Sequence, residues 1–321
     1  MRNAACLVHL GLLALACGSP VGTAPQEGGR EGSIPEGAVK VTPETDLFPP
    51  VLHSEAWEEP VPLSSAVNTA GVEDAPVVSD DGSTLYFFFT PDASAPAEEQ
   101  LTDGYTGVWK VERTGSSWGT PQSVVLSDGL SLDGPVSLQE DTLWFVSVRS
   151  GTYGADGDVF RAWPSGGGWA WQNAGSQLNA DYNAGECAVG AGGGLMVCAR
   201  DAEFGVYGGY DLWQLEEDGG GWTEPVNLGG AVNGPDDDGW PALSADAGEL
   251  WFTSSSSSGQ PGPAVYRCSR AGGSWSKPEE IVSGFSGDPS VDSAGNLYFT
   301  HVYADSSGEV IETDIYVCIR R

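Results

Sequence analysis

The chain has 321 residues and a formal net charge of −32. Such a charge excludes nucleic acid and anionic membrane surfaces as direct electrostatic partners, and a solvated acidic surface is expected of a soluble exported domain. The sequence contains 46 Gly and 12 Trp, and no long amphipathic 3.6-residue period appears after residue 20. These features predict an all-β protein of many short strands joined by tight turns.

Residues 1–16 are typical of a secretory signal peptide. Arg2 precedes an apolar run that ends at Ala16 and is too short to span a bilayer. The small residues before Cys17 resemble a bacterial lipobox, although Ala14 stands where Leu is commoner. The resemblance implies cleavage before Cys17, acylation of that residue and attachment to the cell envelope, with Gly18 favouring the outer membrane. An ordinary signal peptide with an incidental cysteine is the alternative.

Residues 17–54 are rich in Gly, Pro and Glu and have no sustained apolar pattern. Such a segment buries too little surface to offset its chain entropy. We therefore expect a flexible tether between the lipid anchor and a globular domain at 55–321.

Five similar units follow from residue 55. Each unit has a Trp-x-x-Pro strand, a strand with an acid and a proline, a tight turn, a Leu-aromatic-Phe strand and a closing strand. The anchoring tryptophans are Trp57, Trp118, Trp171, Trp222 and Trp275. A period of about 50 residues with four short strands predicts a β-propeller, here with five blades. Each blade is expected to begin at its own Trp-x-x-Pro strand, and pairing of residues 51–63 across the seam would close the ring.

Two hairpins carry a family resemblance. Residues 76–87 (PVVSDDGSTLYF) and 241–252 (PALSADAGELWF) resemble the WD40-like PD40 repeats of TolB-type envelope propellers. This resemblance covers about residues 55 to 321 and implies a non-catalytic module that binds or scaffolds a protein or glycan partner in the envelope. It is specific for architecture and weak for function, since one fold carries many sites.

Five acids open the aligned hairpins: Asp74, Asp133, Glu186, Asp238 and Asp288. If the first strand of each hairpin lies near the propeller axis, these carboxylates surround one mouth of the channel. Converging carboxylates raise one another's pKa or bind a hard cation such as Ca²⁺; apart from this candidate ion, no cofactor is expected. Their fixed offset in the repeat favours a structural role instead, in which they accept backbone N–H groups.

Asp236, Asp237 and Trp240 belong to the fourth unit alone. The two extra acids match no EF-hand spacing and are expected in a solvated loop. Trp240 is a candidate platform for a sugar or peptide. Because these three residues do not follow the repeat, they are the first place to look for function.

Four cysteines lie in the predicted propeller. Pairing of Gly190 with Leu195 around a turn places Cys187 opposite Cys198, and export favours their oxidation to a disulfide. Cys268 and Cys318 fall on equivalent strands of neighbouring blades, and no cysteine or histidine spacing suggests zinc.

Most enzyme classes lack their motifs here, including the nucleophile elbow, the P-loop and the dinucleotide fingerprint. One catalytic alternative stays open. The chain resembles five-bladed furanosidase and arabinanase propellers, which implies glycoside hydrolysis by a carboxylate pair. Asp74, Glu186 and Asp238 would be the candidates. The acids recur with the repeat, which favours the non-catalytic interpretation.

Overall fold

The structure, a computed structural model, describes residues 29–153, 157–201 and 207–321. The predicted signal peptide and Cys17 lie outside the described residues. Within these ranges, helices are limited to single turns at Arg30–Ser33, Ala97–Gln100, Gln177–Asp181 and Ala191–Gly193. None of the helices in the described ranges is long and apolar enough to cross a membrane. The rest is strand and turn, so the predicted all-β class is confirmed.

The strands fall into five blades, preceded by two short N-terminal strands. In chain order the strands are β1 (Val51–Leu52), β2 (Val61–Pro62), β3 (Val72–Val78), β4 (Thr84–Thr90), β5 (Gly107–Thr114), β6 (Ser117–Trp118), β7 (Gln122–Ser123), β8 (Ser131–Gln139), β9 (Thr142–Arg149), β10 (Asp158–Ser165), β11 (Gly168–Asn173), β12 (Cys187–Val189), β13 (Leu195–Arg200), β14 (Asp211–Asp218), β15 (Gly221–Trp222), β16 (Val226–Asn227), β17 (Asp238–Leu243), β18 (Glu249–Ser254), β19 (Ala264–Ala271), β20 (Ser274–Trp275), β21 (Glu279–Ser283), β22 (Ser286–Val291), β23 (Leu297–Ala304) and β24 (Val310–Cys318).

The blades close into a ring. Their innermost strands are β3, β8, β12, β17 and β22; each contacts the next, and β22 contacts β3. Within a blade the first three strands pair antiparallel in chain order, as β3, β4 and β5 do in the first blade. This cyclic arrangement confirms a propeller of five blades.

Each blade is sandwiched between two neighbours, which explains why its central strand is apolar on both faces. In β4, Leu85, Phe87 and Phe89 pack against the fifth blade. Tyr86 points to the other side and packs against the second blade. Because successive side chains of a strand point to opposite faces, a continuous apolar run is what a strand buried on both sides requires.

The seam shows that the sequence unit is shifted relative to the blade. β2 pairs with β24, so the fourth strand of the last blade comes from the N-terminal side of the ring. Trp57 forms a bridge with Arg320, packs edge-on against Trp251 and donates its indole N–H to the Gly295 carbonyl. The predicted closure across the seam is confirmed. The expectation that each blade begins at its own Trp-x-x-Pro strand is wrong.

The same register holds around the ring. Each anchoring tryptophan pairs with the end of the third strand of the preceding blade, as Arg113 with Trp118 and Arg270 with Trp275. In the second blade Pro164 pairs with Trp169. Trp169 is therefore the anchor of that blade, and the assignment of Trp171 is corrected by two residues.

Residues 29–54 contradict the predicted flexible tether. This segment, called the strap below, lies on the propeller. Arg30 pairs with Glu73 at 3.1 Å, Lys40 contacts Glu312 and Asp314, and Asp46 pairs with His301 at 2.8 Å. β1 then extends the fourth blade by pairing with β21. The composition suggested disorder because local apolar content is low; the strap is instead held by charge pairs to distant residues.

Candidate functional site

The channel wall is shaped by a bulge in the inner strands. The register shifts across a proline in three inner strands, at Pro76 in β3, Pro241 in β17 and Pro289 in β22, and directly after Pro135 in β8. In three of these strands the residue before the proline has a positive φ: 48° at Ala75, 48° at Trp240 and 49° at Asp288. A non-glycine residue rarely adopts this conformation, and only a strong surrounding framework holds it there.

This bulge places the residue before the proline on the wall of an axial cavity of about 60 Å³. The volume is well below the roughly 300 Å³ of an ordinary ligand pocket, so it accepts a small chemical group rather than a whole sugar ring. The polar side chains on its wall are Glu186, Trp240 and Asp288; the apolar lining includes Ala75, Phe88 and the four prolines.

The five predicted acids are not equivalent, and the predicted ring of five carboxylates does not form. Asp74 and Asp133 lie two residues before the proline, and Asp238 lies three before it. Asp288 lies directly before Pro289, and Glu186 directly before Cys187, which replaces the proline in β12. Of the five, only Glu186 and Asp288 line the cavity. Alignment on the acids concealed this difference, whereas alignment on the prolines would have shown it.

Glu186 is held protonated at neutral pH. Its pKa is raised to about 8, first by burial in the channel wall and then by the carboxylate of Asp74. A side-chain hydrogen bond from Trp240 opposes this rise but is the smaller effect. Burial disfavours the charged form of a carboxyl group, and a second nearby negative charge disfavours it further.

Asp74 is the carboxylate that faces Glu186. Its Oδ1 accepts the backbone N–H of Ala75 at 2.8 Å, the residue itself is 0% exposed, and its Oδ2 has no hydrogen-bond donor among the described residues. The preceding Glu73 pairs with Arg30 at the seam with the fifth blade. Since neighbouring strand residues point to opposite sides, Asp74 points away from the seam, toward Glu186.

Asp133 and Asp238 have structural partners. Asp133 binds Arg149 at 2.6 Å and Ser131 at 2.8 Å. Asp238 accepts the backbone N–H of Gly234 at 2.5 Å, and burial raises its pKa to about 6 against a hydrogen bond from Ser254. The structural role that the sequence favoured fits these two acids, and the catalytic role considered for Asp238 does not.

The three residues outside the repeat, Asp236, Asp237 and Trp240, lie in different surroundings. Trp240 lines the cavity beside Glu186. Asp237 accepts the backbone N–H of Tyr210, and Asp236 is exposed on the loop before β17. Across the described ranges, no group of three or more acidic, cysteine or histidine side chains is arranged to hold a metal ion, so no residues stand out for the suggested Ca²⁺.

Two asparagines that sequence reasoning missed hold the third strands of the second and third blades in place. Asn179 clamps Val159 by bonding both its N–H and its carbonyl, and Asn233 does the same with Leu212. Asp158 accepts the side-chain amide of Asn173. The sequence signal was the recurring apolar-Asn pair before an inner strand.

Cys187 and Cys198 are directly opposite, as the turn predicted. Both are nevertheless free thiols, so the predicted disulfide is not present. Both side chains are 0% exposed, and burial raises the pKa of Cys198 to about 12. The thiolate is the species that reacts in disulfide exchange, and this environment suppresses it. Cys268 and Cys318 are also free.

No family model matches the chain, and no curated protein does. Among solved structures it is similar to a GH43_12 from a capybara gut metagenome, at 12% identity over 79% of this chain and 52% of that one, with a TM-score of 0.44. It is also similar to a bat influenza N11 neuraminidase-like protein (10% identity, 83% and 94% coverage, TM-score 0.42). A third is the Trypanosoma rangeli sialidase (14% identity, 79% and 46% coverage, TM-score 0.42). The chain thus spans about half of the GH43_12 and sialidase chains. The likeness is one of fold.

The prediction of a non-catalytic binding or scaffolding module is corrected. The structures found include glycoside hydrolases, a GH43 and a sialidase. The channel itself holds a protonated Glu186 beside the carboxylate of Asp74.

Proposed function

We propose that the protein is a glycoside hydrolase whose reaction takes place where Glu186 and Asp74 meet at the channel. The observation that carries this proposal is the raised pKa of Glu186, about 8, which leaves a proton on a carboxyl group of the cavity wall at neutral pH. Glycosidic cleavage needs one carboxylic acid that donates a proton and a second carboxylate.

In this proposal Glu186 is the general acid. It donates its proton to the glycosidic oxygen as the bond to the departing sugar breaks. Asp74, buried behind the cavity wall, is the second carboxyl group: it raises the pKa of Glu186 and acts at a distance on the positive charge that develops on the sugar ring. Trp240 holds the Glu186 carboxyl in place through its hydrogen bond and offers an aromatic face to the sugar.

The cavity limits how a substrate approaches. Because it holds only about 60 Å³, the sugar ring would lie at the mouth of the channel, with one substituent inserted between Glu186 and Asp288. This geometry favours cleavage at an accessible chain end or branch over threading of a polymer through the propeller.

The test is a reducing-end assay on a panel of oligosaccharides, with the protein and Glu186→Gln compared. Glutamine keeps the shape of the side chain and an oxygen for the Trp240 hydrogen bond, so the fold is retained while the proton is lost. We expect the variant to lose at least ~100-fold in kcat, the usual contribution of a general acid. Glu217→Gln, on the exposed end of β14, is the matched control. Equal hydrolysis by Glu186→Gln, or hydrolysis of no glycan on the panel, would reject the proposal.

We also propose that acylation of Cys17 anchors the protein to the cell envelope and that its repeats belong to the PD40 type. The residues at 13–17 and the hairpins at 76–87 and 241–252 support these two proposals. Neither is needed for the chemistry at Glu186.

A further inference from the structure

Each blade places one residue at the same position on the wall of the axial cavity. In four blades this residue directly precedes the proline of the inner strand, and in the third blade it precedes Cys187. The five residues are Ala75, Gly134, Glu186, Trp240 and Asp288, and all of them line the cavity. No two blades carry the same residue there. The position is therefore not part of the packing that the blades share, and its residues decide what the cavity accepts.

The wall is polar on one side only. The third, fourth and fifth blades follow one another around the ring and contribute Glu186, Trp240 and Asp288, whereas the first and second blades contribute Ala75 and Gly134. The other lining side chains of the first two blades are all apolar: Pro76, Val77, Phe88, Pro135, Val136 and Val146. A group that fills the cavity therefore meets polar side chains on one side and hydrocarbon side chains on the other, so it must itself be polar on one side only.

Gly134 gives the apolar side of the cavity its room. A Cβ added at this position would meet nothing within 4 Å, and the backbone is not in the left-handed region that favours glycine. Neither close packing nor backbone conformation thus requires a glycine here. The space beside Gly134 belongs to the cavity, and a methyl group would take part of it.

The polar side of the wall suits a neutral hydroxyl group better than an anion. No Lys, Arg or His is among the described residues that line the cavity, so a carboxylate or sulfate would lose its water there and meet no positive side chain. Asp288 is fixed by its backbone, which has a φ of 49° and donates its N–H to Thr253 Oγ1 at 2.8 Å. Its carboxyl oxygens accept a hydrogen bond from a hydroxyl group.

We propose that the cavity binds the hydroxymethyl group of a neutral sugar. This inference rests on the proposed function and names its substrate class, the glycosides of sugars that carry such a group. The carbon of the group packs beside Gly134 and Val136, and its hydroxyl donates to Asp288. A hydroxyl attached directly to the ring has no carbon for the apolar side. The hydroxymethyl group and the glycosidic oxygen are attached to the two ring carbons that flank the ring oxygen. A sugar held in this way therefore keeps its glycosidic oxygen at the mouth of the channel, near Glu186.

The test compares sugars that differ in one substituent. In their pyranose forms, D-glucose, D-xylose and D-glucuronate carry a hydroxymethyl group, a hydrogen and a carboxylate on the same ring carbon. D-galactose, L-arabinose and D-galacturonate form a second such series. Binding of each is measured by ligand-observed NMR titration in roughly 500 mM NaCl, which screens the repulsion between the acidic protein and a uronate. We expect the hydroxymethyl sugar of at least one series to bind at least ~10-fold more tightly than the other two members.

Gly134→Ala tests the position of the bound group. The added methyl group should weaken binding of the preferred hydroxymethyl sugar about 10-fold and change binding of the sugar without that group by less than about 2-fold, because only the former occupies this space. Gly194→Ala is the matched control. A Cβ there also meets nothing within 4 Å, the φ of −79° suits alanine, and the residue lies in the turn before β13, outside the cavity lining. Its binding should equal that of the wild type.

The outcomes separate this inference from the hydrolase proposal. The expected selectivity without hydrolysis of the corresponding glycosides would support the inference and reject the hydrolase. Hydrolysis of glycosides with and without a hydroxymethyl group at equal kcat/KM would overturn the inference and leave the hydrolase proposal standing. Binding of none of these sugars, tighter binding of a uronate, or an equal loss in Gly134→Ala and Gly194→Ala would also overturn it.

Discussion

The strap makes a quantitative prediction through Arg30. This side chain is 6% exposed and Glu73 is 0% exposed, and the guanidinium lies 3.1 Å from the carboxylate. Arg30 also donates to the carbonyls of Val67 and Ala66 and stacks over Phe89 at 4.9 Å. Arg30→Met keeps much of the apolar stem but removes the charge and the donors.

The loss of unfolding free energy expected for Arg30→Met depends on how the protonation of Glu73 changes when the guanidinium is removed. Breaking a buried ion pair typically costs about 3–5 kcal/mol because a charge is left uncompensated. The pKa of Glu73 is already raised to about 7 by burial, against the effect of Arg30. At pH 7 the carboxyl therefore takes up a proton at a cost of only about 0.4 kcal/mol. The remaining loss is that of the two carbonyl bonds and the stacking, so we expect about 2–3 kcal/mol in total.

Urea denaturation of the wild type and Arg30→Met measures this difference, provided that the dependence of the unfolding free energy on urea is unchanged. Glu73→Gln, alone and in the Arg30→Met background, completes a double-mutant cycle. We expect it to recover part of the loss at pH 7 and almost none at pH 5, where Glu73 is protonated without help. A change below about 0.5 kcal/mol in Arg30→Met, the range of an ordinary surface substitution, would refute the docked strap and restore the flexible tether.

Three further predictions concern other parts of the chain. The folded state raises the pKa of Glu186 to about 8 and of Asp238 to about 6. The folded protein therefore binds these two protons more tightly than the unfolded chain does. The contribution of the two groups to stability is complete below about pH 4 and is lost as the pH rises to 8. Urea titrations at pH 5 and pH 8 should differ by about 5 kcal/mol in favour of pH 5, and most of this difference should be lost in Glu186→Gln. Cys187 and Cys198 should resist a thiol reagent in the native protein and react fully in denaturant without a reductant; missing thiols in denaturant would show that the disulfide exists. Cys17→Ala should move the protein from the membrane fraction to the soluble fraction, and unchanged fractionation would contradict lipidation.

Much of the fold could be read locally. The turn residues, the Leu-aromatic-Phe strands and the spacing of about 50 residues specify a blade, and five copies specify the ring. The closure by β2 could also be anticipated, since an open ring would leave an exposed strand edge. The register of Cys187 against Cys198 followed from a single turn, because hairpin pairing is fixed by the turn that starts it.

The tertiary structure decided which side chains share a space. A bulge adds a residue to one strand and changes which side chains face the axis, so acids that look aligned in the sequence separate into cavity wall and scaffold. Glu186 lies on the cavity wall, whereas Asp238 binds the backbone of the loop before its own strand. The strap was hidden for a related reason. Its contacts join Arg30 to Glu73 and Lys40 to Glu312, and pairing between distant charges leaves no local pattern in the sequence.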